Sequence, residues 1–133
     1  MPQRVCLQPC LGANIVESTI GRQACYLVHE QLRAGKTDLG CAPALYARVQ
    51  EDIDFIMQDA VLAIESCEKG CANTLVREMG GEVHATLLVQ DILREANLPV
   101  QGLPREHLDL DHPVVQAVAA KIAEKVDELL SRR

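Results

Sequence analysis

Four of the six cysteines in this chain, Cys10, Cys41, Cys67 and Cys71, fall where short apolar runs give way to segments of helical periodicity. In an open parallel sheet, ligands gather outside the carboxyl ends of the strands. Four thiols on that edge point to a metal site or to sulfur chemistry. The other two read differently. Cys6 lies inside the first apolar run and Cys25 beside the apolar stripe of the first helical segment. Free cysteine is among the most buried residue types, so both are expected to pack in the core.

Geometry then constrains the fold. Parallel strands lie about 4.8 Å apart, and a tetrahedral zinc with Zn–S bonds near 2.3 Å needs sulfurs about 3.8 Å from one another. Side chains tilting inward close that gap if the first strand lies between the second and third, which predicts the order 2-1-3-4. A 3-2-1-4 order would separate Cys10 from Cys67 by an intervening strand. The spacing Cys67-x-x-x-Cys71 is looser than that of zinc ribbons, but Cys71 falls near an expected helix N-terminus, whose positive end favours a thiolate. Lys69 adds a positive charge between the two thiols.

The elements that must position these thiols alternate strand and helix. Residues 4–8 read as the first strand and 14–34 as a helix, with Val16, Ile20, Ala24, Leu27 and Val28 on one stripe and Gly35 as its stop. Gly21 inside that helix is explained by a close approach to the sheet. A second strand over 37–40 leads into Cys41-Ala42-Pro43, and Leu45, Val49, Ile53 and Ile56 continue at helical spacing as one helix. The unbroken apolar run 60–64 reads as a strand covered on both faces. A helix then runs to Met79, a fourth strand spans 83–89, and a shorter helix follows through Ala96. Residues 98–111 are a polar, proline-bearing connection. The last helix runs from Pro113 to about residue 131, with Arg132 and Arg133 at the negative end of its dipole. The expectation is a single α/β domain over residues 1–133: about four parallel strands flanked by helices, with a long C-terminal helix.

A chain of 133 residues buries a sizeable core without help from metal or disulfides. That core must be aliphatic, since the aromatics are Tyr26, Tyr46 and Phe55. A net charge of −6 with so few stacking rings argues against nucleic acid. The residues from Met1 to Leu7 hold no signal-peptide apolar stretch, and no run approaches a membrane span. The expected setting is soluble and cytoplasmic, where thiols stay reduced and clustered cysteines bind metal or do thiol chemistry. No protein partner is indicated.

Other residues near the edge are weighed the same way. Asp91 reads as the N-cap of a helix from Ile92, or else as a carboxylate beside the site. Glu65 is either an exposed strand end or a hydrogen-bonding partner of the site, and Asn14 reads as a helix cap. Among the histidines, His29 reads as solvated, His84 lies in a strand, and His107 and His112 flank the polar connection, so they form no second site. Gly12-Ala13-Asn14 lacks the glycine pattern and Lys-Ser/Thr pair of a phosphate loop, which excludes nucleotide binding.

The motifs Pro9-Cys10-x-Gly12, Cys41-x-Pro43-Ala44-Leu45 and Glu65-Ser66-Cys67-Glu68-Lys69-x-Cys71-Ala72 resemble those of the DGC-domain family, named for an Asp-Gly-Cys triplet. The similarity extends to Glu51-Asp52, Phe55 and Val89-x-Asp91. The resemblance implies that Cys10, Cys41, Cys67 and Cys71 are the four family cysteines and that they bind zinc, an assignment resting in that family on the cysteines themselves. The chain departs from the pattern at Glu65-Ser66, which replaces Asp-Gly, and at Leu11, where serine is common. A serine before Cys67 argues against a glycine-only backbone there.

Three functions fit. The first is a Zn²⁺ protein, structural or for delivery; four thiolates close the site to catalysis, whereas three leave a place for substrate. The second is an iron–sulfur cluster protein. The third is metal-free thiol or persulfide chemistry with Cys71 as nucleophile and Cys67 as resolving thiol.

Overall fold

The computed structural model describes residues 2–132. Strands β1 (Val5–Pro9), β2 (Thr37–Leu39), β3 (Ala60–Glu65) and β4 (Ala85–Leu88) form one parallel sheet in the order β2-β1-β3-β4, as the cysteine geometry required. Val5 pairs with both Thr37 and Ala60, and Leu62 pairs with Ala85. The two central strands are buried along their whole length, while β2 and β4 are partly exposed edges.

Side-chain alternation along the central strands divides the core in two. Val5, Leu7, Leu62 and Ile64 meet the larger layer, formed by α1 (Val16–Leu27), α5 (Val89–Glu95) and α6 (Pro113–Ser131). Cys6 and Val61 face the smaller one, formed by α2 (Ala42–Tyr46), α3 (Gln50–Gln58) and α4 (Cys71–Glu78). Cys25 is buried in the larger layer and Cys6 in the smaller. Burial pushes both thiols up, so both are neutral packers. A Cβ on Gly21 would lie 3.3 Å from Ile64 and 3.4 Å from Val89, which is the close helix–sheet approach expected of that glycine.

Three boundaries differ from the periodicity. The first helix is α-helical only to Leu27 and ends in one π-helical turn, Val28–Leu32, closed by the Arg33 amide donating to the Val28 carbonyl at 2.8 Å. Gly35 lies beyond it, at φ +80° in the turn that leads to β2. The run from Leu45 to Ile56 is two helices rather than one, broken at Arg48, which is left-handed at φ +63°. Leu45 and Ile56 stay in the core as expected, but the break turns Val49 outward and buries Asp52, which accepts from the Cys41 amide at 3.0 Å. Finally, β4 begins after His84 instead of including it. The His84 amide donates to the Val61 carbonyl and its Nδ1 accepts from the Val61 amide, both at 2.9 Å, so the ring takes the place of a peptide group in the ladder.

His29 is half-buried, with Nδ1 2.7 Å from the Thr37 hydroxyl, and is not the solvated residue expected. His112 caps α6 by accepting from the Val114 amide. Arg132 stands at the C-cap of that helix; Arg133 and Met1 lie outside the described residues. The 98–111 connection is a strap across α1. Thr19 donates to the Arg105 carbonyl, Gln23 to the Leu108 carbonyl at 2.5 Å, and Leu108 is buried beneath.

At the opposite end of β3 from the thiols, the half-buried Asp59 is pushed up to about 7. The main cause is withdrawal from water. The Asp38 carboxylate then acts as acceptor and like charge, and Arg4, 3.2 Å from Asp38, pulls the other way. The unfolded carboxyl ionises near 4, so between about 4 and about 7 the folded chain holds the extra proton. Stability therefore falls as pH rises through that window. Asp59→Asn should stabilise the protein at about pH 8 by on the order of 1 kcal/mol, after allowance for solvent screening, and flatten its stability between about pH 5 and pH 8. Urea unfolding at the two pH values measures this; equal slopes for wild type and variant would refute it.

Candidate functional site

Cys10 follows β1, and its amide continues the ladder by donating to the Ile64 carbonyl at 3.2 Å. Its Sγ lies 2.7 Å from the Ser66 hydroxyl and 3.8 Å from that of Ser18. Ser66 follows β3 directly and is buried, and its backbone is not left-handed. The left-handed residue is instead Leu11, at φ +57°, which turns the chain from β1 towards α1. Such a conformation costs a non-glycine residue roughly 1 kcal/mol.

The 66–70 loop then carries Cys67 and Lys69 over the same edge, and Gly70 (φ +71°) supplies the turn into α4 with Cys71 as its first residue. Cys10, Cys67 and Cys71 line one cavity of about 310 Å³, with Ser18, Ser66 and Lys69. Cys67 is half-buried, and Cys71 is exposed at the rim. Three of the four expected thiols therefore share a pocket.

Cys41 does not line it. It is exposed at the end of β2, the neighbour of β1, where it precedes α2. Among the described residues no three His, Cys, Asp or Glu side chains stand close enough together to hold a metal ion. The donor chemistry nonetheless fits a soft divalent ion, because three thiols and a balancing lysine line one cavity.

Glu65 is not an exposed strand end but a hydrogen-bonding partner of the helix turn that carries Cys71. Its buried carboxylate accepts from the amides of Ala72 at 3.1 Å and Asn73 at 2.9 Å, and from the Asn73 side chain at 2.8 Å. It thus occupies the positive end of α4 that the sequence assigned to Cys71. The Asn73 side chain reaches on to Thr86 of β4 at 3.1 Å.

Two further expectations are corrected. Helix α5 starts at Val89, so Asp91 lies in its first turn, paired with Arg94 at 3.0 Å, and does not cap it. Gln90 is the residue from that segment that lines the thiol cavity, hydrogen-bonded to Glu17 at 3.4 Å. Asn14 caps nothing, because α1 begins after Ile15 without a side-chain cap; Asn14 lines the cavity instead. Ser66 was open to sequence reasoning, since a serine beside a strand-end cysteine is placed to meet the thiol of the next strand. Gln90 carried no such signal.

A parallel α/β sheet with thiols gathered beyond its carboxyl edge defines a cysteine-rich α/β protein. The family model for the DGC domain matches residues 6–122, and the chain belongs to that family. No curated protein and no solved structure matches it. No helix among the described residues is long and apolar enough to cross a membrane.

The clamp made by Glu65 gives a direct expectation. Glu65→Ala leaves two helix amides and the Asn73 side chain without their acceptor, and should cost about 2–4 kcal/mol of stability. Hydrogen exchange at the Ala72 and Asn73 amides should accelerate beyond the global change, whereas Glu65→Asp, one methylene shorter, should fall between. Unchanged protection in Glu65→Ala would show that the carboxylate is not the cap.

Proposed function

We propose that this protein binds a zinc ion through the thiolates of Cys10, Cys67 and Cys71, with Cys41 closing the fourth position, and that it carries the ion exchangeably in the cytoplasm. The observation that carries this reading is the single cavity lined by three thiols and Lys69, with the fourth cysteine at the end of the adjacent strand. The ion, when bound, supplies a charge that keeps the thiols ionised. Lys69 offsets the excess negative charge of the thiolates, and Ser66 and Ser18 hold the Cys10 sulfur by their hydroxyls. A fourth ligand outside the shared cavity favours exchange over a permanently closed site.

Protein prepared without added metal should carry about one zinc per chain. Cys67→Ser/Cys71→Ser should lose it, Cys10→Ser should weaken it by on the order of a hundredfold in chelator competition, and Cys41→Ser should weaken it less. Cys6→Ala and Cys25→Ala should retain it. Full zinc content in the Cys67/Cys71 variant would overturn the reading, and iron with acid-labile sulfide in the wild type would replace it by a cluster.

A second reading rests on Cys67 and Cys71, which line the same cavity four residues apart. In it, the Cys71 thiolate takes the outer sulfur of a low-molecular-weight persulfide, breaking the donor's S–S bond, forming a new one and releasing the donor thiolate. Cys67 then displaces hydrosulfide to give a Cys67–Cys71 disulfide. Thiol titration separates the two readings: metal ligands react only after chelation, whereas free thiols react at once.

A further inference from the structure

A second cavity, of about 490 Å³, lies on the far side of the Cys10 loop. Leu11, Gly12 and Ala13 form one wall, Thr19 and Arg22 of α1 another, and Arg105 and Glu106 of the strap the third. Arg22 is half-buried and makes no ion pair or side-chain hydrogen bond among the described residues. The Arg105 guanidinium makes one bond, to the Asn14 carbonyl at 3.2 Å, and the Thr19 hydroxyl fixes the Arg105 backbone. Neither arginine is paired with Glu106. In a chain of net charge −6, this cavity carries two guanidinium groups against one carboxylate.

We propose that this cavity binds a small molecule bearing a carboxylate or phosphate group through Arg22 and Arg105. Guanidinium groups recognise both oxyanions by paired N–H donors, and a half-buried one without a partner is a strong candidate to receive them. The loop supplies more donors. The amides of Leu11, Gly12 and Ala13 have no acceptor among the described residues, and the left-handed Leu11 bends the backbone there, as in the concave amide sites that hold anions. Gly12 also lines the thiol cavity, so the anion and the thiols lie on two sides of one loop. The proposal goes beyond the metal reading and does not depend on it.

Inorganic phosphate and citrate are the probes, titrated into the full chain and followed by the amide resonances of Gly12 and Ala13. Saturable shifts are expected for at least one probe, and the stronger of the two names the class, phosphate ester or polycarboxylate. Arg22→Gln and Arg105→Gln should each weaken binding about tenfold, and added salt should weaken it further. Glu106→Gln should tighten it, and Arg77→Gln, on α4, should leave it unchanged. The Cys67→Ser/Cys71→Ser variant should bind the anion as wild type does, which separates failure here from failure of the metal site. Should Arg22→Gln fold poorly, Arg22→Lys keeps the charge and should retain part of the affinity. Equal affinity in the folded Arg22/Arg105 double variant, shifts confined to other loops, or no saturable shift with either probe would overturn the proposal.

Discussion

The thiol edge depends on the carboxylate of Glu65. Buried at the end of β3, it accepts three hydrogen bonds from the first turn of α4 and so fixes where the chain re-enters helix after the loop. Cys67 lies in that loop and Cys71 directly follows it as the first residue of α4, so the clamp fixes the frame of both. Gly70 makes it compatible with the short span: at φ +71° it turns the chain while its hydrogen faces Glu65, where a Cβ would stand 3.8 Å from the carboxylate oxygen. The family's aspartate is replaced here by a residue one methylene longer. The serine that follows adds a hydroxyl against Cys10 that glycine could not supply.

Much of the framework was legible because it follows from periodicity and from one chemical demand. The need to bring Cys10 between Cys41 and Cys67 selected the strand order that the sheet adopts. The aliphatic stripe of the last helix marked α6 to within a residue, and Gly21 marked where α1 presses on Ile64. What escaped was decided by tertiary partners. Leu45, Val49, Ile53 and Ile56 keep a helical rhythm, yet the helix breaks at Arg48 and buries Asp52 beneath the Cys41 amide. A pattern of apolar residues cannot register that exchange, because the gain belongs to a hydrogen bond eleven residues away. His84 reads as a strand residue by composition, and only the unpaired amide of Val61 explains why its ring completes the ladder instead.

The site was legible in its residue types and less so in its assembly. Three of the four cysteines meet because β1 and β3 are neighbours and the loop after β3 is short. Cys41, on the other neighbour of β1, faces outward because its amide is committed to Asp52 and its helix starts at once. Gln8 shows how tightly that corner is filled. It is 1% exposed, its amide nitrogen has no partner, and a Cβ on Gly40 would overlap its carbonyl. A side chain at Gly40 would force Gln8 to move and would crowd the Leu7 carbonyl, while the thiol after it is exposed.

The brevity of the outer strands has a consequence for how copies of this chain meet. β2 offers three residues and β4 four, and on β4 the Thr86 side chain is engaged by Asn73 of α4. An intruding strand would find few free peptide groups to pair with, so edge-to-edge growth of the sheet is discouraged. A chain that bears four free cysteines outside its core is open to intermolecular crosslinking when sheets associate. Truncated edges keep such encounters brief, and so protect the thiols from one another.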